Sequence, residues 1–207
     1  MSTAQPGTPI IHFDALVLSG GRSSRLGGTP KASLLVQGRS LLQVACAAVS
    51  GAENIVVVGP DDGGLDSGLA SRVRRTREDP PFGGPAAAVV AGMGSLPPSG
   101  ARHILVLACD MPRIAQAVDE LLAAARGNPS CSFVARDSGR DQLLAGLYLR
   151  TELAQAISQT DAASGARNLS MRALLATVNF RPVPVTPGAT HDVDTWPDAQ
   201  ALGIDVE

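Results

Sequence analysis

Short apolar runs alternate with longer amphipathic stretches along the chain, and the clearest runs end at glycine or aspartate. The first spans 13–18 and stops just before a glycine cluster, while the second spans 55–58 and stops at Gly59. A third spans 103–109 and ends directly at Asp110. Apolar runs of this kind, bounded by turn residues, are typical of strands buried on both faces of a sheet. We therefore predict a buried strand in each of these segments.

The remaining segments complete an alternating pattern of strands and helices. Further strands are predicted over 72–77, 131–135, 143–149 and 180–185, and helices over 41–49, 65–70, 85–93, 114–126, 152–158, 169–176 and 196–202. The arginine-rich segment 72–77 favours a solvated edge strand over a phosphate-binding patch, and the prolines within 180–185 also indicate an edge. The alternation predicts an α/β fold, a three-layer Rossmann-like sandwich with a mostly parallel mixed sheet.

No linker or repeat divides the chain. We expect residues 10–207 to form a single domain, and residues 1–9, which are polar and contain glycine and proline, to form a disordered leader rather than a secretory signal. In a sheet of this type, ligands bind beyond the carboxyl ends of the strands, where the strand order reverses. The residues that follow the strands are therefore the first candidates for a functional site.

Composition and charge narrow the class of function. Hydrophobic residues make up 44% of the chain and aromatic residues only 3%, so the core must be largely aliphatic. A net charge of −2 argues against nucleic acid or an anionic membrane as partner, and no apolar run reaches the roughly 20 residues that span a bilayer. The three widely spaced cysteines predict buried thiols and a reducing cytoplasm. No histidine lies in a nucleophile motif, so none is expected to be catalytic.

A glycine-rich loop follows the first strand. Its sequence is Leu18-Ser19-Gly20-Gly21-Arg22-Ser23-Ser24-Arg25-Leu26-Gly27-Gly28-Thr29-Pro30-Lys31. Glycines let backbone N–H groups approach an anion closely, and Arg22, Arg25 and Lys31 add positive charge that suits a triphosphate. The loop is neither a Walker A motif nor GxGxxG. A flexible surface loop is the alternative, but this composition after a buried strand favours phosphate binding.

Acidic residues near two other predicted elements suit a divalent cation. Asp110 ends the strand 103–109, and Mg²⁺ is commonly held by one or two carboxylates together with phosphate oxygens. Asp192 and Asp194 would point to the same side of an extended segment, because side chains alternate along it. The alternatives are that Asp110 caps a helix and that Asp194 or Thr195 caps the last helix.

A rigid turn, Glu78-Asp79-Pro80-Pro81-Phe82-Gly83-Gly84-Pro85, precedes the predicted helix 85–93. The carboxylate of Asp79 could accept hydrogen bonds from the amide edge of a nucleotide base. It could equally serve only to shape the turn. The residues themselves leave both interpretations open.

Together, and in this order, these motifs resemble the sugar-nucleotide-transferase-like nucleotidyltransferases, and within them the molybdenum cofactor guanylyltransferases. The resemblance extends from about residue 15 to residue 202. The glycine-rich loop is similar to that family's pattern Leu-Ala-Gly-Gly-x-Ser-x-Arg-x-Gly-x-x-x-Lys. The fold implied is that of the nucleotide-diphospho-sugar transferases.

The resemblance implies a role for each matched residue. The guanine and ribose site would be lined by Leu18, Ser19 and Gly20, and guanine would also be contacted by Asp79. The phosphates would be held by Gly21, Arg25 and Lys31. Asp110 would bind Mg²⁺ and the nucleotide, and Asp194, with Asp192 beside it, would complete the metal and substrate site. Lys31, Arg25 and Asp110 would be the catalytic residues. The nucleotide site would comprise Leu18, Ser19, Gly20, Gly21, Lys31, Asp79 and Asp110.

Several positions depart from the family pattern. Ser19 replaces the usual alanine, and Gly59 stands where the family often has an asparagine that contacts the nucleotide. The final motif reads Asp-Val-Asp instead of Asn-Val-Asn. Gly20 matches the guanylyl-type glycine, whereas the related cytidylyltransferases tend to have alanine there, so GTP is favoured.

The activity implied is transfer of GMP from GTP to the terminal phosphate of molybdopterin, with Mg²⁺ as cofactor and release of pyrophosphate. Transient contact with molybdenum cofactor insertion or target enzymes would follow from that role. The nearest rivals are a molybdopterin cytidylyltransferase and a guanylyltransferase for another phosphorylated small molecule. A non-catalytic nucleotide-binding protein is the rival from another class. A Rossmann oxidoreductase is disfavoured because the dinucleotide fingerprint is missing.

Overall fold

The computed structural model describes residues 10–21, 24–60, 64–160 and 166–205. The expected leader at residues 1–9 and the cation Arg22 lie outside these described residues.

The strands are β1 (Phe13–Leu18), β2 (Leu35–Val36), β3 (Arg39–Ser40), β4 (Ile55–Val58), β5 (Val73–Thr76), β6 (His103–Ala108), β7 (Ser132–Asp137), β8 (Arg140–Leu149), β9 (Phe180–Pro184) and β10 (Ile204–Asp205). The α-helices are α1 (Leu41–Ala48), α2 (Ser67–Ala70), α3 (Pro85–Ser95), α4 (Ile114–Gly127), α5 (Arg150–Ser158), α6 (Met171–Leu174) and α7 (Trp196–Ala201).

The main sheet has seven strands in the order β5-β4-β1-β6-β8-β7-β9. Strands β5, β4, β1 and β6 are parallel neighbours, β8 runs antiparallel to β6 and β7, and β9 is parallel to β7. The predicted mostly parallel mixed sheet is therefore confirmed. The arginine-rich strand β5 and the proline-containing strand β9 lie at the two edges, as their sequences indicate.

Helices cover both faces of this sheet, so the fold has the expected three layers. Adjacent residues of β1 show the alternation: Val17 packs in the cluster that contains α1 and α4, whereas Leu16 packs in the cluster that contains α3 and α6. Helix α3 lies very close to the sheet at Gly92, where an added Cβ would come within 2.9 Å of Val58 and 3.0 Å of Leu16. A glycine at that point permits the close packing of helix against strand.

The hairpin of β7 and β8 is longer than the sequence pattern predicts. Its two-residue turn is formed by Ser138 and Gly139, both with positive φ, which suits the twist of a tight hairpin. Arg136 and Asp141 face each other across the extension, and Arg136 Nε donates to Asp141 Oδ1 at 2.7 Å. The predicted strands 131–135 and 143–149 omitted this polar extension because hydrophobic patterning does not detect it.

A small sheet, in the order β10-β2-β3, was absent from the sequence-based prediction. Its strands have two residues each, too short for a hydrophobic pattern to reveal. It accompanies a third apolar cluster formed by Leu26, Leu34, Leu41, Val193, Ala199 and Ile204. This cluster packs the segment after β1 against the last helix, and it thereby brings the glycine-rich loop beside the C-terminal acidic motif.

Candidate active site

The glycine-rich loop leaves β1 at the carboxyl edge of the sheet and is anchored to β4. The backbone N–H of Ser19 donates to Val58 O at 2.8 Å, and its hydroxyl donates to the same oxygen at 3.3 Å. Ser19 is buried, whereas Gly20 and Gly21 are exposed. Farther along, Leu26 is buried in the small apolar cluster, which fixes the loop at a second point. Gly20 and Gly21, which follow the first of these anchors, line a cavity beyond the sheet.

Three carboxylates meet beyond β6. Asp110, Asp192 and Asp194 each offer an oxygen, and these oxygens all lie within 4.8 Å of one another. The backbone joins the two segments directly, because Val193 N donates to Asp110 O at 3.0 Å while the Val193 side chain is buried. Asp192 and Asp194 therefore flank a buried residue and project toward Asp110.

Helix capping does not account for these carboxylates. Thr195 is the N-cap of α7, and it forms a reciprocal capping box with Asp198. Helix α4 begins after Arg113, so Asp110 is not its N-cap either. The alternative that Asp110 caps a helix is therefore wrong. The alternative that Asp194 or Thr195 caps the last helix is confirmed for Thr195, and Asp194 is not the cap.

Lys31 joins the carboxylate cluster. Its Nζ lies 2.8 Å from Asp110 Oδ2 and 2.6 Å from Asp194 Oδ1. Burial alone would lower the pKa of Lys31, but the charges and hydrogen bonds of Asp110 and Asp194 outweigh it and raise that pKa. The lysine is thus held as an ammonium ion at the end of the glycine-rich loop.

Arg25 and Asp192 complete the charged group. Arg25 NH1 lies 3.3 Å from Asp194 Oδ2, and its side chain is largely exposed. The pKa of Asp192 is raised, first by burial and then by the charges of Asp110 and Asp194. Because Asp110 and Asp194 repel the negative charge of Asp192, a cation bound among the three carboxylates would relieve that repulsion.

Asp137 fixes the turn that leads to the acidic segment. Its carboxylate is buried at the end of β7 and accepts from Gly188 N at 3.0 Å, and from Thr190 N at 3.2 Å and Thr190 Oγ1 at 3.0 Å. Burial would raise the pKa of Asp137, but these hydrogen bonds outweigh it and lower that pKa. Asp137 was not among the site residues predicted from the sequence. Its position between two arginines in a polar stretch carries no signal of this role.

A cavity of about 350 Å³ opens between the loop, α3 and the start of the acidic cluster. It is lined by Leu18, Ser19, Gly20, Gly21, Pro30, Lys31, Glu78, Phe82, Gly84, Pro85, Ala88, Ala108, Cys109, Asp110 and Leu144. This volume falls within the range typical of small-molecule sites. Of the residues assigned by resemblance to the nucleotide and its phosphates, all line this cavity except Asp79 and Arg25.

Asp79 is exposed and does not contribute to the lining of this cavity. Its neighbour Glu78 does, together with Phe82. Neither Glu78 nor Phe82 was singled out from the sequence. The sequence signal that could have indicated Phe82 is that it is an isolated aromatic residue in a turn rich in glycine and proline.

Gly59 lies directly behind the loop. It has a φ of 153°, and an added Cβ would come within 2.4 Å of Ser19 Oγ and 2.9 Å of Gly20 N. Its N–H donates to Thr76 O at 3.0 Å, which holds it between β5 and β1. The glycine is therefore required by the close approach of the loop.

The cysteines and histidines do not form a second centre among the described residues. All three cysteines are free, with Cys46 and Cys109 buried and Cys131 half-buried. His12 is exposed and pairs with Glu53, and His191 is also exposed. Buried His103 contacts Cys131 O at 3.2 Å, and burial lowers its pKa.

A family model described as the MobA-like NTP transferase domain matches residues 15–178. The chain belongs to this family. The match runs from within β1 to just beyond α6, and so includes the glycine-rich loop and Asp110. The resemblance inferred from the sequence motifs is therefore confirmed, and the chain is a nucleotidyltransferase of the MobA-like type.

Curated relatives of this MobA-like chain have consistent names. The molybdenum cofactor guanylyltransferase of Acidiphilium cryptum is 34% identical over 145 residues, which cover 66% of this chain and 67% of that protein. Six further relatives, from Synechococcus, Shewanella and Pseudomonas, have the same name, in two cases as probable.

Solved structures share the fold at lower identity. A Mycobacterium sp. strain JC1 homologue of Mycobacterium tuberculosis Rv0371c has a TM-score of 0.69 at 22% identity, covering 92% of this chain and 94% of that one. The 4-diphosphocytidyl-2C-methyl-D-erythritol synthase of Anaerococcus prevotii has a TM-score of 0.67 at 12% identity, covering 93% and 95%. Likeness at these identities establishes the nucleotidyltransferase fold.

Proposed function

We propose that this chain transfers GMP from GTP to the terminal phosphate of molybdopterin, releasing pyrophosphate and forming molybdopterin guanine dinucleotide. The observation that supports this most directly is the ammonium of Lys31, bound to Asp110 and Asp194 at the edge of a cavity lined by the glycine-rich loop. The names of the curated relatives supply the nucleotide and the acceptor.

The proposed reaction is a direct displacement at phosphorus. An oxygen of the acceptor's terminal phosphate attacks the α-phosphorus of GTP, and the bond from that phosphorus to the bridging oxygen breaks, so that pyrophosphate leaves with the bond's electron pair. The acceptor phosphate is already an anion, so no strong general base is needed. Catalysis then consists of positioning and charge stabilisation.

The chain's own groups match these two requirements. Lys31, at the end of the loop, would place a positive charge against the phosphates, and exposed Arg25 would add a second. Gly20 and Gly21 line the cavity, and their backbone N–H groups would add hydrogen-bond donors to the phosphates. Preorganised cations and amides of this kind stabilise charge that develops on a leaving pyrophosphate.

The carboxylate cluster fits a magnesium ion. Mg²⁺ prefers hard oxygen ligands and is commonly held by a few carboxylates with substrate phosphates, which is what Asp110, Asp192 and Asp194 offer within 4.8 Å. When bound, the ion would neutralise charge on the phosphates. The chain's contribution is to hold the three carboxylates close together, with Val193 N bonded to Asp110 O.

The setting we propose is the cytoplasm, where free cysteines such as the three in this chain persist. Among the described residues, no helix combines the length and apolar character that crossing a bilayer requires. The product of the proposed reaction is a cofactor, so transient contact with insertion proteins or with the target molybdenum enzymes would follow.

Pyrophosphate release tests this function. Purified protein with Mg²⁺ would be given GTP, CTP, ATP or UTP, each with and without molybdopterin. We expect release only with GTP and molybdopterin together, and its loss on chelation of the metal. Preference for CTP would identify a cytidylyltransferase, and release with GTP and a different phosphorylated acceptor would replace molybdopterin. Nucleotide binding without release under any of these conditions would indicate a non-catalytic binder.

A further inference from the structure

The β7–β8 hairpin contains a break in its register. Val134 pairs with Gly146, but Ala135, the next residue of β7, pairs with Gln142. Residues 143–145 of β8 therefore have no partner in β7, and they form a bulge. Bulges redirect side chains, and they are common next to active sites.

The bulge contributes a side chain to the wall of the cavity. In a regular strand, adjacent side chains point to opposite faces of the sheet. In the bulge, Leu143 and Leu144 both pack against the apolar cluster that contains Tyr148. Leu144 also lines the cavity beside the glycine-rich loop. A local change in the backbone of β8 thus gives this cavity an aliphatic wall.

Tyr148 ties the bulge to the regular part of β8. Its hydroxyl donates to Leu143 O at 2.7 Å, and its side chain is fully buried. Burial raises the pKa of Tyr148, so the hydroxyl stays protonated and remains a donor. The ring lies against Gly146, where an added Cβ would come within 2.5 Å of both Cζ and the hydroxyl oxygen. The absence of a side chain at Gly146 therefore lets the tyrosine reach the bulge.

The register also places Leu144 relative to the reaction centre. Leu107 pairs with Ala145, so Leu144 lies beside the end of β6, which Asp110 follows. In the strand order β1-β6-β8, the glycine-rich loop lies on the other side of β6. A displacement at phosphorus has its attacking and leaving oxygens roughly in line, on opposite sides of that atom. With the loop and Lys31 on the leaving pyrophosphate, the acceptor approaches from the side of β8.

We propose that Leu144 packs against the carbon framework of the phosphorylated acceptor, and that Tyr148 is the positioning residue that keeps Leu144 in place. This inference rests on the proposed function. Removing apolar surface of a ligand from water against a leucine is favourable. An aliphatic side chain makes no hydrogen bond, so it can orient the acceptor without competing with the metal site for its phosphate.

Two variants test the two parts of this proposal. Leu144→Ala removes the contact, and Tyr148→Phe removes only the hydroxyl that ties the bulge. Initial rates of pyrophosphate release would be measured with Mg²⁺ while GTP and molybdopterin are varied in turn. We expect the KM for molybdopterin to rise about 5- to 30-fold in Leu144→Ala and about 3- to 10-fold in Tyr148→Phe. The value of kcat, and GTP affinity measured without acceptor, should stay within about twofold of the parent.

A matched control and a double variant separate positioning from general destabilisation. Leu122→Ala truncates a half-buried leucine of α4, away from the cavity, and should keep the parental KM for both substrates. If Tyr148 acts through Leu144, adding Tyr148→Phe to Leu144→Ala should raise the acceptor KM by less than it does in the parent. Fully additive effects would reject the positioning role of Tyr148. An equal loss for GTP and molybdopterin would indicate a structural role, and a loss for GTP alone would assign Leu144 to the nucleotide.

The same rates distinguish failure of this inference from failure of the proposed function. No pyrophosphate release by the parent protein with GTP and molybdopterin would reject the proposed function, and this inference with it. Release by the parent, combined with a parental KM for molybdopterin in both Leu144→Ala and Tyr148→Phe, would support the reaction and reject this inference alone.

Discussion

Lys31 Nζ lies 2.8 Å from Asp110 Oδ2, although the two residues are 79 positions apart in the chain. The same nitrogen lies 2.6 Å from Asp194 Oδ1, 163 positions away. Three distant segments are therefore joined at one charged point: the loop after β1, the end of β6 and the approach to α7. Because the ammonium neutralises part of the acidic cluster, we expect it to affect both catalysis and stability.

Replacing Lys31 with methionine should reduce kcat/KM for GTP by about 10²- to 10³-fold, because a preorganised charge at the phosphates is lost. The variant also leaves Asp110, Asp192 and Asp194 to repel one another. Added Mg²⁺ should therefore raise the melting temperature of Lys31→Met more than that of the parent protein. Initial rates and thermal melts with and without Mg²⁺ measure both effects. Parental kcat/KM would refute the assignment.

Asp110→Asn should lower kcat by about 10³-fold or more, because it keeps the shape of the side chain but removes its charge from the cation site. The fold should persist, since Val193 N bonds the backbone oxygen of Asp110. Asp119→Asn, on the exposed side of α4, is the matched control and should behave as the parent. Near-normal pyrophosphate release by Asp110→Asn would rule out a central role.

The sequence predicted the regular sheet well because buried parallel strands are strongly patterned. β1, β4 and β6 lie where their apolar runs indicate, and α1 begins after Ser40 with a full capping box. The small sheet and the polar end of the β7–β8 hairpin were missed. Two-residue strands and solvent-facing ladders depend on partners elsewhere in the chain, and a local pattern cannot contain that information.

The same distinction holds for the site. Conspicuous sequence motifs contain Lys31, Asp110 and Asp194, and the structure brings these three residues together. The positions of Glu78 and Asp137 are determined by tertiary packing. The carboxylate of Glu78 is turned inward after β5, and that of Asp137 is buried under a turn some fifty residues farther along the chain. Which of the two adjacent carboxylates, Glu78 or Asp79, faces the cavity is decided by the tertiary path of the turn.

Gly59→Ala should displace the glycine-rich loop, since its Cβ would lie 2.4 Å from Ser19 Oγ and 2.9 Å from Gly20 N. We expect a loss of about 1–3 kcal/mol in the free energy of unfolding, together with weaker GTP binding. Gly59→Asn should be no better, and Ser19→Ala should not rescue either variant because the contact with Gly20 N persists.

Gly94→Ala is the control for Gly59→Ala. Gly94 lies in α3, and an added Cβ meets no atom within 4 Å. Alanine is favoured over glycine within a helix, so this variant should gain about 0.5–1 kcal/mol. Urea unfolding and GTP titration compare the two. Unchanged GTP affinity in Gly59→Ala would show that the loop adapts freely.

Asp137→Asn should change the acid stability of the protein. Hydrogen bonds from Gly188 and Thr190 hold the pKa of Asp137 below its ordinary value, so its ionised form stabilises the fold above the unfolded pKa of about 3.9. That contribution is lost as the pH falls through the lowered folded pKa. The variant should lose about 1.5–3 kcal/mol at neutral pH and show a flatter acid dependence.

Urea unfolding between pH 7 and pH 3 would measure this for Asp137→Asn, with Asp119→Asn as control. Because Asp137 holds the turn before Asp192 and Asp194, the variant should also require more Mg²⁺ for half-maximal activity. A parallel pH profile in parent and variant would contradict the role assigned to the Asp137 carboxylate.

Arg150→Met should separate stability from activity. Asp14 is fully buried near the amino end of β1, and it accepts hydrogen bonds from Arg150, Ser99 and Asn54. Removing the guanidinium leaves a buried carboxylate without its charge partner, which typically costs about 3–5 kcal/mol. The active site lies beyond the opposite, carboxyl end of β1. We therefore expect unfolding at lower urea concentration but a parental KM for GTP.

A double replacement sharpens this test. In Asp14→Leu combined with Arg150→Met, no buried charge remains, so much of the lost stability should return, as replacing a buried ion pair with apolar side chains is often close to neutral. Recovery would show that the cost in Arg150→Met comes from the unpaired Asp14 and not from lost packing of α5. If the double variant is as unstable as Arg150→Met, packing is the larger effect. A shifted KM in either variant would mean that the network reaches the nucleotide site through β1.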